Sequence, residues 1–177
     1  MKKDLKKMNI KAFNSKIFSL WDDQWFLLSV GDFNKGDFNS MTVAWGSLGI
    51  MWSVPFAQVV VRPTRHTYHF MNTYDDFTLC AFPEKYREDL SYLGYHSGRD
   101  EDKIAKTTLT PCASDTVKSP SFEEAELIME CRKMYEQDMD PKLFLEDFIH
   151  TKYPGNDYHR IYFGKIQNLL QPEKPRY

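Results

Sequence analysis

The sequence predicts a mainly β protein, an antiparallel and barrel-like sheet carrying helical decorations. Three observations point there. Short runs rich in Val, Ile, Phe and Tyr recur along the chain between clusters of Gly, Pro, Asn and Asp. Those runs do not alternate strictly with helical patterns, which argues against a doubly wound parallel sheet. Aromatic residues reach 15% of the chain, a class that favours strands and also lines sites for flat ligands.

The first strand is expected at about 24–31, QWFLLSVG, and DFNKGD after it has turn chemistry. Further strands are expected at about 40–52, at 56–62 (FAQVVVR) and at 77–82 (FTLCAF). A long one covers about 125–138, where Leu127, Met129 and Cys131 alternate with Glu130 and Arg132. The last covers about 158–169, YHRIYFGKIQNL. Helices are expected between them. In 66–74, Thr67, Phe70, Met71 and Tyr74 repeat at i, i+3, i+4 and i+7, and in 84–94 Tyr86, Leu90 and Leu93 share a face. DEDKIAK at 100–106 begins with acids suited to a helix N-terminus, and PKLFLED at 141–147 has Pro at a first helical position.

The chain has 177 residues, which favours one domain, and a fold of this size buries roughly 70% of its unfolded surface without staples. The net charge of −2 gives no basic field for nucleic acid. Lys2, Lys3, Lys6, Lys7 and Lys11 read as a solvated tail or frayed helix, so the expected division is a Lys-rich segment over 1–20, one domain over 21–171 and a tail over 172–177. No apolar run is long enough to span a bilayer, and the early lysines precede no apolar core of a signal peptide. The expectation is a cytoplasmic protein without membrane or nucleic-acid partners. Cys80, Cys112 and Cys131 are odd in number, widely spaced and form no C-x-x-C, which argues against a disulfide framework or a zinc site. Cys80 and Cys131, in strand-like stretches, read as buried structural thiols.

Three stretches could carry chemistry. In NSMTVAWG, 39–46, Thr42, Ala44 and Gly46 share one strand face and are all small. Such a row lets a planar group approach the backbone, with Asn39 and Ser40 adding polar contacts; close packing against a second sheet or a bulge at Gly46 explains the same residues. In VVVRPTRHTYHF, 59–70, Arg62 and Arg65 flank Pro63 just before Thr67 and a helix N-terminus. This is either a phosphate site or a strand-to-helix turn with solvated arginines. In GYHSGRDEDK, 94–103, Ser97, Gly98 and Lys103 suit an anion, or belong to a capped helix start. His66 and His69 lie three apart with no Cys or carboxylate to complete a metal set, and read as exposed helix residues. No metal site, G-x-G-x-x-G loop, nucleophile elbow or acid–base pair is expected.

Taken together with DYHRIYFGKI, these stretches resemble the flavin reductase-like family, the FMN-binding split β-barrel proteins, and most closely its flavoredoxin-like branch. The resemblance covers about residues 22–170 in order. It implies a Greek-key split barrel, a homodimer, and FMN in a groove close to the subunit interface. Residue by residue, it implies that Asn39, Ser40, Met41 and Thr42 contact the flavin and ribityl region while Ala44, Trp45 and Gly46 line the ring. Arg62, Arg65 and Thr67, with Pro63 fixing Arg62, hold the phosphate, and Ser97, Gly98 and Lys103 lie nearby. His159 lies near the reactive face where nicotinamide docks. The implied activity is hydride transfer from NADH or NADPH to FMN and electrons onward to a redox partner, or electron transfer without efficient NAD(P)H turnover. TKYPGNDY and the 141–147 helix depart from the pattern as an insertion between the last strands; folded over the groove, it limits nicotinamide access.

Overall fold

A computed structural model of the chain describes residues 4–173. The strands are β1 (Leu5–Lys7), β2 (Phe26–Asp32), β3 (Asp37–Val43), β4 (Gly46–Met51), β5 (Val54–Val61), β6 (Asp76–Ala81), β7 (Pro111–Cys112), β8 (Ser121–Phe122), β9 (Leu127–Asp138) and β10 (Arg160–Pro172). The helices are α1 (Ile17–Ser19), which continues as a π-turn over Leu20–Gln24, α2 (His66–Thr73) and α3 (Arg87–Tyr95). Eight strands form one sheet in the order β3-β2-β6-β9-β10-β5-β4, with β1 on the free part of β10, and every pairing is antiparallel. β7 and β8 make a separate small ladder.

The ends of this path decide the shape. β3 and β4 are its two edges, yet only Ala44 and Trp45 separate them in sequence. Three peptide links span at most about 11 Å, so the sheet curls until its edges approach at this corner. No ladder joins β3 to β4 among the described residues, and the barrel stays split there. The fold is the antiparallel split barrel that the sequence predicts.

The long hydrophobic run of β2 follows from burial on both faces. Phe26, Leu28 and Val30 point inward with Val59, Leu79, Met129 and Tyr162. Leu27 points outward with Cys80, Ile128 and Leu170, beneath Leu90 and Leu93 of α3. Successive residues alternate faces as the pleat requires. Cys80 and Cys131 are buried as expected, and burial pushes the Cys131 thiol well up.

Four expectations are corrected. The strand expected over 40–52 is two strands at opposite edges, broken at Ala44–Trp45. Residues 100–106 form turns instead of a helix: Asp102 Oδ1 accepts from the Ala105 amide at 3.2 Å, and Lys103 turns inward. Local side-chain bonds of this kind compete with helix formation. Residues 141–147 hold one 3₁₀ turn, Pro141–Leu143, whose N-cap Asp140 accepts from Lys142, and a second turn covers Asp147–Lys152. Of the expected Lys-rich tail, residues 5–7 pair with β10, Leu5 opposite Pro172; Lys2 and Lys3 lie outside the described residues, as do 174–177 of the expected C-terminal tail.

Gly164 marks a close approach. It follows a register shift between β10 and β9, and a Cβ there would lie 2.5 Å from two ring carbons of Phe77 and 3.0 Å from the Cys131 Cβ. Gly164→Ala is expected to destabilise the protein by about 1–3 kcal/mol, whereas Gly155→Ala, where the nearest atom is 3.9 Å away, changes it by less than about 0.5 kcal/mol. Urea unfolding of both variants checks this; equal effects would contradict the packing at Gly164.

Candidate functional site

Two helix ends build the polar half of the site. β5 ends at Val61, and α2 starts at His66 with Arg65 as its N-cap, a position where no side chain caps the helix. Backbone amides at such an end carry partial positive charge. α3 ends beside it with its carbonyls outward. Lys103 Nζ donates to the Leu93 carbonyl at 2.8 Å and the His96 carbonyl at 3.0 Å, and Arg65 Nη1 donates to the Gly94 carbonyl at 3.0 Å. Cations complement a helix C-terminus, so α3 collects two of them on the doorstep of α2.

Around these ends Asn39, Arg65, Thr67, Ser97, Gly98 and Lys103 line one small pocket of about 80 Å³. All six are residues singled out in the sequence, drawn from three separate stretches. Thr67 Oγ1 accepts from Asn39 Nδ2 at 2.7 Å, deep in the wall. Gly98 is glycine for a steric reason: a Cβ there would lie 2.3 Å from Asn39 Oδ1. Burial, and then the charge of Arg65, pushes Lys103 down to about 8, against a smaller opposing pull from Glu101. Burial and then Arg99 also lower His66. The pocket is a crowded cationic one suited to an anion.

A second pocket, of about 200 Å³, shares Met41 and Arg65 with the first. Thr42, Val43, Ala44 and Trp45 at the split corner line it, with Val60, Arg62 and His159. The two together make a groove running from the α2–α3 junction to the start of β10.

Several expected site residues are placed otherwise. Ser40 is fully buried and its hydroxyl lies 2.7 Å from that of Ser29, its partner across the β2–β3 ladder. Thr42 Oγ1 donates to the Leu90 carbonyl at 2.5 Å, holding α3 on β3. A Cβ on Gly46 would lie 2.3 Å from the Trp21 ring, so packing accounts for that glycine. Pro63 lines neither pocket. Arg62 is not in the cationic pocket. Its guanidinium donates to Asp157 Oδ1 and to the Lys152 carbonyl, both at 2.8 Å, and lies 4.9 Å from the centre of the Tyr153 ring.

Those contacts belong to the segment between β9 and β10. It folds against the groove's far end, as Tyr153 is buried with its hydroxyl 2.7 Å from Nδ1 of His159. The Trp45 ring lies 5.4 Å from the imidazole. Burial first, and then the positive charge of Arg62, pushes His159 down to about 4, so the imidazole is neutral at pH 7.

A family model, "Flavin reductase like domain", matches residues 27–176. The chain belongs to this family. Among solved structures, flavin reductase-like in fold, the flavoredoxin of Desulfovibrio vulgaris matches with a TM-score of 0.66 at 20% identity, covering 94% of this chain and 78% of that one. An FMN-binding protein from Thermus thermophilus matches with a TM-score of 0.67 at 17% identity, covering 95% and 81%. An NADH:FAD oxidoreductase of Streptomyces globisporus, in complex with NAD and FAD fragments, matches with a TM-score of 0.62 at 14% identity, covering 84% and 74%. An uncharacterized protein of Archaeoglobus fulgidus is 28% identical over 114 residues, and this match spans 64% of each chain. At these identities the solved structures share the fold.

In this flavin reductase-like chain, sequence reasoning missed Tyr153 and Asp157. Both lie in TKYPGNDY, and the signal available was its aromatic density: Phe144, Tyr153 and Tyr158 pack on one another. The neutral state of His159 has a measurable consequence. Its folded pKa lies below the unfolded value of about 6.5, so the stability it supports is full above that value and is lost as pH falls toward about 4. Over this window the unfolding free energy of the wild type is expected to fall more steeply than that of His159→Asn, by up to about 1.4 kcal/mol per pH unit. Urea titrations at several pH values measure both slopes, and parallel slopes would place the imidazole in water.

Proposed function

We propose that the chain binds FMN along this groove and transfers a hydride from NAD(P)H to it, the electrons then passing to a further acceptor. The observation that carries this reading is the convergence of Asn39, Arg65, Thr67, Ser97, Gly98 and Lys103 on one cationic pocket that continues into the groove at 41–45. Arg65, Lys103 and the amides opening α2 hold the phosphate as charge-assisted donors. The chain at Met41–Trp45 lies along the ring, with Asn39 beside the ribityl region, while Ser40, Gly46 and Pro63 shape the backbone from behind. Arg62 and His159 border the far end. A bound flavin supplies the redox chemistry, accepting a hydride and releasing electrons. The protein's residues bind and orient it, and no general base is required of them.

The family match and the fold shared with an FMN-binding protein and an NADH:FAD oxidoreductase support the reading. Trp45 is exposed at the corner beside the groove, and Ile50, Met51 and Trp52 are exposed at the other end of the β4 edge. A second copy of the chain covers them in a homodimer and closes the groove. No helix among the described residues is long and apolar enough to cross a membrane, and the proposed setting is the cytoplasm.

A second reading is an FMN-binding electron carrier without efficient NAD(P)H turnover. The segment carrying Tyr153 favours it, because it covers His159 where nicotinamide would approach. Stopped-flow reduction separates the two: rapid reduction by NADH or NADPH removes the carrier reading, and slow reduction by both removes the reductase reading.

The phosphate contacts are tested by comparing FMN with riboflavin, which lacks the phosphate. Arg65→Ala is expected to weaken FMN binding about ten- to hundredfold, for one charge-assisted contact of ~1.5–3 kcal/mol, and to leave riboflavin unchanged. The phosphate favours the charged Lys103, so the advantage of FMN over riboflavin shrinks as pH rises through about 8. Fluorescence titrations measure both; equal losses for the two ligands would contradict the assignment.

A further inference from the structure

The segment between β9 and β10 carries a contact that the proposed flavin site does not by itself require. Tyr153 and His159 are 4% and 7% exposed, and the phenol oxygen lies 2.7 Å from Nδ1. Both residues are buried, and protein groups surround the proton between them.

The direction of that hydrogen bond follows from the acceptors available. Besides Nδ1, the Tyr153 hydroxyl has the Met139 sulfur at 3.5 Å, and a thioether is a weak acceptor. A neutral imidazole nitrogen is a strong one, so the phenol hydrogen goes to Nδ1. The charges nearby oppose a second proton on the ring. Arg62 lies over the Tyr153 ring and Arg65 lines the same groove, while Asp157, the carboxylate among the described residues that acts on His159, is itself paired with Arg62. With Nδ1 taken, Nε2 carries the proton and is the nitrogen left over for the groove that the ring lines.

We propose that Tyr153 is a positioning residue: it donates to Nδ1 and fixes His159 as the Nε2–H tautomer, one hydrogen-bond donor directed at an acceptor atom of the flavin ring. The ligand in this statement rests on the flavin reading above, and the tautomer does not. The surrounding contacts keep the phenol in place. Arg62 ties the segment down through Asp157 and the Lys152 carbonyl, and the rings of Phe144 and Tyr158 flank Tyr153 at 6.1 and 5.0 Å. On its other side the imidazole meets Trp45 at 5.4 Å.

Long-range ¹H–¹⁵N spectra of the full chain, labelled at histidine and free of flavin, read the tautomer directly. At pH 7 the wild type is expected to show His159 with a bare Nδ1 and a protonated Nε2. Tyr153→Phe keeps the ring and its packing but removes the donor; it is expected to bring a proton onto Nδ1 in part of the population and to weaken FMN about three- to tenfold, as loss of one neutral hydrogen bond does. Met139→Leu is expected to leave the wild-type tautomer. A proton on Nδ1 in the wild type, an unchanged tautomer in Tyr153→Phe, or a changed one in Met139→Leu would overturn the assignment. Wild-type FMN affinity in Tyr153→Phe with the tautomer shifted would overturn the donor's role toward flavin. If the tautomers behave as expected while the wild type binds no FMN, the flavin reading fails and the positioning of His159 stands.

Discussion

The site depends on the way α3 ends. Its last carbonyls take Lys103 and Arg65, and this puts two like charges close together next to the amide end of α2. Among the described residues neither cation forms an ion pair with a carboxylate there; burial first, and then the charge of Arg65, holds the Lys103 pKa down, against a smaller opposing pull from Glu101. An incoming dianion would relieve that repulsion. The cationic pocket is therefore a product of helix packing: Thr42 holds α3 on β3 through the Leu90 carbonyl, and Gly94 lets the two backbones close up, since a Cβ there would already be 3.3 Å from the Thr42 Cβ.

The second constraint is the split in the barrel. Because the chain crosses from one sheet edge to the other through Ala44 and Trp45, backbone at that corner is left outside any ladder and beside a concave surface. The start of β10 and the end of β5 converge on the same place, which brings Arg62 and His159 to the groove. There Arg62 pairs with Asp157 of the β9–β10 segment, and the same segment sets the Tyr153 hydroxyl against Nδ1 of His159. The connection between β9 and β10 thus shapes the groove's far end, away from the cationic end.

Much of this was legible in the sequence, and the reasons are local. Period-two alternation located β9, and helical spacing located α2 and α3, because each is long enough for its pattern to show. Asn39, Thr67 and Ser97 stood out as polar residues beside turns, and they do meet. Other residues have partners that local sequence does not show. The Ser40 hydroxyl meets that of Ser29, eleven residues earlier, across the ladder. Gly46 packs against the Trp21 ring. The acids at 100–102 look like a helix start, but local turns and the inward Lys103 use that stretch otherwise. The break at Ala44–Trp45 left only Gly46 as a signal, read as a possible bulge, since strand-like residues continue through it and the sheet order separates the two halves.

We propose that the cationic pocket and the adjoining corner hold a single phosphorylated flavin, and a crystal structure of the protein with FMN checks this. The phosphate is expected among Arg65, Thr67, Ser97 and Lys103, with the ring system along residues 41–45. A flavin bound elsewhere, or turned so that its phosphate lies at Arg62 and the Tyr153 segment, would contradict it.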